Sequence, residues 1–336
     1  MKVVVTGASG HVGATLVRAL LARGDQVRVV AHPATNTSAA LEGLDVDAVV
    51  GDVCDPASLR AAFAGCELVF HLAGLISIDG DRDGLVRKVN VDGAGHVASA
   101  ALASGVRRLV HMSSVHAFDH HPVDAPLDES RARPGAAHPA YDRSKAAGEE
   151  AVRAVVAQGL DAVIVNPSGI IGPFDFAPSR MGQVLLYLAG GKLPALGGGG
   201  FDWVDVRDVA SGAMAAADRG RTGQNYLLSG HYHSMQELAR MASAITGVPP
   251  PPLFVPAVVE DAAAVVATAW SRLRGTRPHL TSEALHALRG SRNVVGARAA
   301  AELGHKPRPT HETLADAYAW FIERGTLNAF ERRTPL

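Results

Sequence analysis

The segment Tyr141-Asp142-Arg143-Ser144-Lys145 sets a phenol and an ammonium group four residues apart. On a helix this spacing puts both side chains on one face. A phenol with its ordinary pKa near 10 needs help to exchange a proton at neutral pH, and an adjacent lysine cation helps by favouring the phenolate. Upstream, Val110-His111-Met112-Ser113-Ser114 closes an apolar run, and a hydroxyl at Ser114 can bond to the same substrate oxygen. Taken singly, a Tyr and a Lys at this spacing also occur on helices that do no chemistry, so the pair gains meaning only from what surrounds it.

A second feature is Thr6-Gly7-Ala8-Ser9-Gly10-His11-Val12-Gly13, directly after the β-branched run Lys2 to Thr6. Between a strand and a helix, Gly7 permits a tight turn, Gly10 lets backbone approach a pyrophosphate, and Gly13 lets the helix pack close to the strand. Ser9, His11 and Val12 complete the set at the helix N-terminus, where free N–H groups and a positive dipole suit phosphate. The alternative is a glycine-rich turn without a ligand. A dinucleotide site usually places an acidic residue at the end of the second strand to bind the ribose 2′-hydroxyl. Here Ala31 and His32 occupy that place, with Arg28, Thr35, Asn36 and Thr37 nearby as donors. No carboxylate repels a 2′-phosphate there, so NADP is favoured, with NAD left open.

The elements that must position these groups follow from periodicity. Short apolar β-branched runs alternate with amphipathic stretches through the first half, the pattern of repeated βαβ units and a parallel sheet. The pattern predicts strands at Lys2 to Thr6, Val27 to Ala31, Val46 to Val53, Glu67 to Ala73, Arg107 to Ser113 and Ala162 to Asn166. It predicts helices at Val12 to Arg23, Pro56 to Ala64, Leu85 to Ser104 and Ala140 to Ala157. The fold class is α/β, a Rossmann-type doubly wound parallel sheet with its ligand at the carboxyl ends of the strands. A smaller, mostly helical C-terminal lobe is expected, with helices at Ser234 to Thr246, Val258 to Leu273, Ser282 to Leu288, Ala297 to Leu303 and His311 to Arg324. The dinucleotide-binding domain takes residues 1–172, completed by 201–230, and the substrate lobe takes 173–200 and 231–336.

Composition narrows the partners. The 336 residues carry 32 Lys plus Arg against 33 Asp plus Glu, a net charge of -1, so no global basic field exists to hold nucleic acid or an anionic membrane. No run makes a convincing membrane span, since Ala257 to Ala269 is short and contains Glu260 and Asp261. The N-terminal apolar run is too short for a signal peptide, and a cytoplasmic protein is expected. Cys54 and Cys66 lack the paired spacing of a zinc site and read as small buried residues. His120-His121 and His231-Tyr232-His233 lack accompanying ligands at a recurrent spacing and read as loop histidines, so no metal is expected. Asp208 is expected to cap a helix beginning near Arg207, and Lys306-Pro307-Arg308-Pro309 to form a solvated turn.

Joined to the glycine loop, the Tyr-Lys pair resembles the extended branch of the short-chain dehydrogenase/reductase family, the NAD(P)-dependent epimerase/dehydratase superfamily, and within it the dihydroflavonol-4-reductase-like proteins. The likeness runs in order through Thr6 to Gly13, Gly51-Asp52-Val53, His71-Leu72-Ala73-Gly74, Asn90-Val91-Asp92-Gly93, Ser113-Ser114, Tyr141 to Lys145, and Asn166-Pro167-Ser168-Gly169-Ile170-Ile171-Gly172-Pro173. The resemblance implies that Tyr141 is the acid/base, that Lys145 binds nicotinamide ribose and tunes Tyr141, and that Ser114 positions the reacting oxygen. It also implies that Asp52 and Val53 border the adenine, Ala73 and Gly74 the pyrophosphate side, and Pro167 and Ser168 the nicotinamide, with Asn90 among the cofactor contacts. It further suggests a homodimer through the helices near Leu85 to Ser104 and Ala140 to Ala157.

Departures from the family pattern bear on the substrate. Ser114 is followed by Val115 and His116 rather than by the Asp-Glu pair of sugar-nucleotide dehydratases. Phe201 stands before Asp202-Trp203, where sugar-nucleotide epimerases carry an arginine for the substrate diphosphate. A phenyl ring cannot neutralise a diphosphate, so a small, less charged molecule is expected. Phe118, Phe174, Phe176, Tyr187, Phe201 and Trp203 suggest an apolar pocket wall, with lobe packing as the alternative, and His116 could face substrate as an anchor or proton relay. The favoured reading is an NADP-preferring carbonyl reductase or alcohol dehydrogenase. An epimerase using NAD by transient oxidation and a non-catalytic dinucleotide-sensing protein are the alternatives.

Overall fold

The computed structural model describes residues 1–33, 38–78, 80–81, 83–264 and 281–328. Six strands of the first half, β1 (Lys2–Thr6), β2 (Gln26–Ala31), β3 (Val46–Val50), β4 (Leu68–His71), β5 (Arg108–Met112) and β6 (Ala162–Pro167), fall within about three residues of their expected bounds. The later strands are β7 (Gly169–Ile171), β8 (Ala195–Leu196), β9 (Gly200–Asp205), β10 (Asn225–Leu228), β11 (His231–Ser234) and β12 (Leu253–Phe254). Seven of them form one sheet in the order β10-β6-β5-β4-β1-β2-β3, and every neighbouring pair is parallel. The order reverses at β1, so the carboxyl ends of β1 and β4 open the crevice where α/β sheets hold their ligands.

Helices cover both faces of this sheet: α1 (His11–Ala22), α2 (Pro56–Phe63), α3 (Gly93–Ala103), α4 (Ala140–Val156), α5 (Arg180–Ala189), α6 (Val206–Arg219), α7 (Met235–Thr246), α8 (Ser282–Leu288) and α9 (Thr310–Glu323), of which α5 and α7 to α9 belong to the C-terminal region. The two-residue period of β1 divides the core. Val3 and Val5 pack with Leu16 and Leu20 of α1 and Val209 and Ala213 of α6, whereas Val4 turns to the face built by Leu59, Val97 and Val152. Both faces are buried, which is why the strands read as continuous apolar runs.

The second half departs more from its sequence pattern. β10 joins the main sheet beside β6, while β9 lies between β7 and β11 in a separate three-stranded sheet. Leu185, Trp203, Leu238, Leu314, Tyr318 and Phe321 form the core of the helical lobe. The N-cap of α6 is Asp205, which accepts from Arg207 N at 2.7 Å, so Asp208 is not the cap. Buried Asp208 accepts instead from Arg308, at 2.7 Å from Nη2, and this ties the supposedly solvated turn at Lys306 to Pro309 onto α6. The helix expected from Leu85 to Ser104 is interrupted by a wide π turn at Lys88–Asp92 before α3 begins. Of the helix expected at Val258 to Leu273, residues 257–264 are helical and the remainder lies outside the described residues.

Candidate active site

The glycine loop is built as its spacing requires. Gly7 has φ +71°, and a Cβ on it would stand 2.6 Å from Ala73 N at the end of β4. A Cβ on Gly13 would stand 2.1 Å from Gly7 O, so α1 approaches the turn as closely as backbone allows. Gly10 is the N-cap of α1 in extended conformation and offers no side-chain cap, which leaves the N–H groups of the first turn directed outward. These features fit a phosphate cradle. His11 does not point its ring into it, since Nε2 lies 2.8 Å from Pro173 O and ties the loop to the chain after β7.

Around the adenine side, Asp52 accepts from Cys54 N at 2.8 Å and its second oxygen lies 3.6 Å from Nε2 of exposed His32. Arg28 is withdrawn from any phosphate role, because its guanidinium bonds Asp47 at 2.7 Å and Ala62 O at 2.9 Å. Thr35, Asn36 and Thr37 lie outside the described residues. Val53 is buried and Cys54 half-buried. Asn90 holds the loop after β4: its amide donates to Leu75 O at 2.9 Å and to Ser144 Oγ at 3.0 Å, while its oxygen accepts from Leu75 N at 2.8 Å. The wide turn at Lys88–Asp92 carries this side chain, so Asn90 braces the site through backbone.

Tyr141 and Lys145 lie on α4, the lysine buried and its Nζ donating to Met112 O at 3.2 Å. A Cβ on Gly74 would stand 3.4 Å from Asn90 Oδ1 and 3.6 Å from Lys145 Nζ, so Gly74, Asn90 and Lys145 converge on one cleft. Burial lowers Lys145 to about 8, with Glu149 opposing that shift. Burial raises Tyr141 to about 12, a hydrogen bond with Ser114 lowers it in part, and the Asp142 charge raises it further. In the protein alone burial is the largest influence on Tyr141, and Lys145 is not among the groups that move it.

Ser114 caps a short 3₁₀ turn, its Oγ accepting from His116 N at 3.2 Å. Its carbonyl accepts from Asn166 Nδ2 at 2.9 Å, and Asn166 also donates to fully buried Glu149 at 2.6 Å. Glu149 takes Asn225 at 2.8 Å and Arg133 at 2.8 Å as well, so one carboxylate holds β6, β10 and the backbone of Ser114 together. Sequence reasoning missed Glu149, although it stands four residues beyond Lys145 on the same helix face. His116 places Nδ1 3.1 Å from Asp142 Oδ1, with its ring edge-on to Tyr141 at 5.7 Å between centroids. Asp142 also lies 3.6 Å from His286 Nε2 of α8, a residue sequence reasoning likewise missed.

The aromatic wall is only partly assembled. Trp203 is fully buried and its indole donates to His233 O at 2.9 Å, so it is a core residue of the lobe rather than a pocket wall. Phe118 is buried under Arg133, and Tyr187 is exposed. Phe174, in the left-handed region at φ +67°, packs with Phe176 against Trp320. Phe201 is half-buried against Gly169, next to Ser168, and edge-on to Trp203. Pro167 ends β6 beside Leu228, and Ser168 Oγ donates to Leu228 O at 3.5 Å. A cavity of about 610 Å³ lies beyond Asp202, lined by His231, Tyr232, His233, Arg292 and His311, and neither Tyr141 nor Ser114 lines it. The histidines assigned to loops divide: His120 is buried against His116, and His231 and His233 belong to β11.

Comparison with known proteins agrees with this geometry. Residues 3–229 match the NAD dependent epimerase/dehydratase family. The chain is 38% identical over 330 residues to a protein of Methylococcus capsulatus named sterol demethylase protein B, covering 97% of this chain and 100% of that one. It is 35% identical over 327 residues to a putative dihydroflavonol 4-reductase of Synechocystis sp., covering 96% and 94% of the two chains. The crystal structure of gox2253 superposes with a TM-score of 0.81 at 33% identity, covering 97% of this chain and 99% of that chain.

Proposed function

We propose, from the premise that the chain belongs to the NAD dependent epimerase/dehydratase family and is an NAD(P)-dependent oxidoreductase of the extended short-chain dehydrogenase/reductase type, that it is a carbonyl reductase or secondary-alcohol dehydrogenase acting on a small, largely apolar ketone or aldehyde. The observation that carries the reading is geometric: Tyr141 and buried Lys145 share α4, with the lysine at Met112 O and near Gly74 and with Ser114 just beyond the end of the same strand, β5. A reductase needs a proton ready on the phenol, and burial, which raises Tyr141, favours that form.

A nicotinamide dinucleotide bound in the cradle supplies or takes up the hydride. Gly7, Ser9, Gly10, His11, Val12 and Gly13 would hold its phosphates, Asp52 and Val53 the adenine side, Ala73 and Gly74 the pyrophosphate side, and Pro167 and Ser168 the nicotinamide. Lys145 would bind the nicotinamide ribose. Ser114 donates to the substrate oxygen and stabilises its developing charge, while Tyr141 gives that oxygen its proton. NADP is the preferred form in this proposal, because Ala31 and His32 rather than an acidic residue stand at the end of β2, although the Asp52 carboxylate lies 3.6 Å from His32 Nε2.

Phe201, beside Ser168, supports an apolar substrate, since an epimerase of sugar nucleotides would need a cation for the diphosphate. The relatives' names refer to a sterol and a dihydroflavonol, which supports a carbon-rich ketone. A homodimer through α3 and α4 and a cytoplasmic location are parts of the same proposal. The test is oxidation of NADPH and NADH with a panel of ketones and aldehydes. Tyr141→Phe is expected to lower kcat/KM for a turned-over ketone by about 10²- to 10⁴-fold with the melting temperature unchanged. Intact turnover in that variant would overturn the proposal.

A further inference from the structure

Among the described residues, the segment from Thr281 to Ser291, which carries α8, is tied to the dinucleotide-binding half through Thr281, His286 and Ser291. Thr281 Oγ1 donates to Ile78 O at 2.6 Å, His286 Nε2 lies 3.6 Å from Asp142 Oδ2, and Ser291 N donates to His120 Nδ1 at 3.0 Å. The first is a neutral hydrogen bond. The third uses a histidine that burial lowers to about 3, with His116 adding to the shift, so it too is uncharged at neutral pH. Of the three, only the His286 contact can gain or lose a charge near neutrality.

That contact sits directly against the candidate chemistry. Asp142 is the residue after Tyr141, is buried, and is shared by His116 on one oxygen and His286 on the other. His116 in turn follows the Ser114 cap and lies edge-on to Tyr141. The groups facing His286 are Asp142 from α4, Asp119, His120 and His121 from the turn after Ala117, His138 from the chain before α4, and Glu283 from its own helix. His138 is itself engaged, its Nε2 lying 3.1 Å from Asp119.

We infer that His286 is a positioning residue whose charge seats α8 on Asp142, and that through Asp142 it keeps His116 set against Tyr141, so that substrate capture beside Tyr141 depends on the protonation of His286. The inference rests on the carbonyl-reductase reading for its kinetic consequence, and on geometry alone for the contact. The neighbouring Asp142 carboxylate holds the imidazole protonated above its ordinary range, and Asp142 is correspondingly held well below the usual carboxylate range by the two histidines. The seating is therefore complete in acid and released as pH rises past the raised value of His286. With His286 half-exposed, the effect is modest.

Histidine ring resonances followed against pH in the whole protein test the contact without any turnover. The signal absent from His286→Gln should titrate above the ordinary imidazole value in the wild-type protein and fall to that value or below it in Asp142→Asn. Unchanged titration in Asp142→Asn overturns the inference. Kinetics then test the consequence with any ketone the panel identifies: wild-type KM should rise about threefold between pH 6 and 9, with kcat changing less. In His286→Gln, KM should be raised at all pH values and flat, whereas His286→Lys, which keeps a cation, should recover the low KM at pH 6. A wild-type pH limb retained in His286→Gln also overturns the inference. If no carbonyl compound is reduced, the function proposed above fails instead, and the titration still decides the contact.

Discussion

Helix α4 carries two buried carboxylates on either side of Lys145, and they are held in opposite ways. Glu149 is enclosed by Arg133, Arg153, Asn166 and Asn225, partners that keep their charge or polarity at any physiological pH. Asp142 is held by His116 and His286, and the second of these, which Asp142 holds above its ordinary value, belongs to the C-terminal lobe. The difference teaches that one helix serves two ends. Its C-terminal half locks β6 and the backbone of Ser114 in place, and its N-terminal half joins the candidate acid to a segment that can loosen.

Truncation should separate the two most sharply. Glu149→Ala removes a fully buried acceptor shared by two buried amides and two part-exposed guanidinium groups, and is expected to cost about 3 kcal/mol by denaturant unfolding. A loss near zero would mean that water or rearrangement replaces the carboxylate, and the contrast would fail. Asp142→Ala should cost about 1–2 kcal/mol by the same measurement, because the two imidazoles it leaves are part-exposed and reached by water. The smallest effect is in the pH dependence. A raised His286 contributes stability that is fully present below its ordinary value of 6.5 and lost as pH rises through its higher folded value. Asp142 contributes the reverse, present above the ordinary carboxylate value of 3.8 and lost only in acid. Between pH 6 and 9 the wild-type melting temperature should therefore fall relative to that of His286→Gln, by the equivalent of less than about 1 kcal/mol. Parallel curves for the two proteins would assign the two carboxylates the same static role.

Much of the first half was legible before any coordinates. Gly7, Gly10 and Gly13 carry their meaning in spacing, because each serves a backbone approach within one strand-turn-helix unit. Tyr141 and Lys145 are four residues apart on one helix, so their common face is a matter of period. The misreadings share another cause. Asp208 stands where a cap could be, yet Asp205 caps and Asp208 instead receives Arg308 from a distant turn. Trp203 belongs to an aromatic-rich stretch, but on β9 it packs into the lobe's core with Leu238 and Phe321. Arg28 looked available for phosphate until Asp47, on the neighbouring parallel strand, took it.

Periodicity, glycine placement and helix spacing act within a dozen residues, and they settle the parallel sheet, the phosphate turn and the Tyr141–Lys145 face. Which groups meet across the molecule is decided by packing. Burial raises the Tyr141 phenol, Glu149 receives Asn225 from β10, and Asp142 receives His286 from the far lobe. A local pattern records the conformation its own residues prefer. A contact between distant segments follows from the free energy of packing the whole chain, and it leaves no mark in the spacing of either partner.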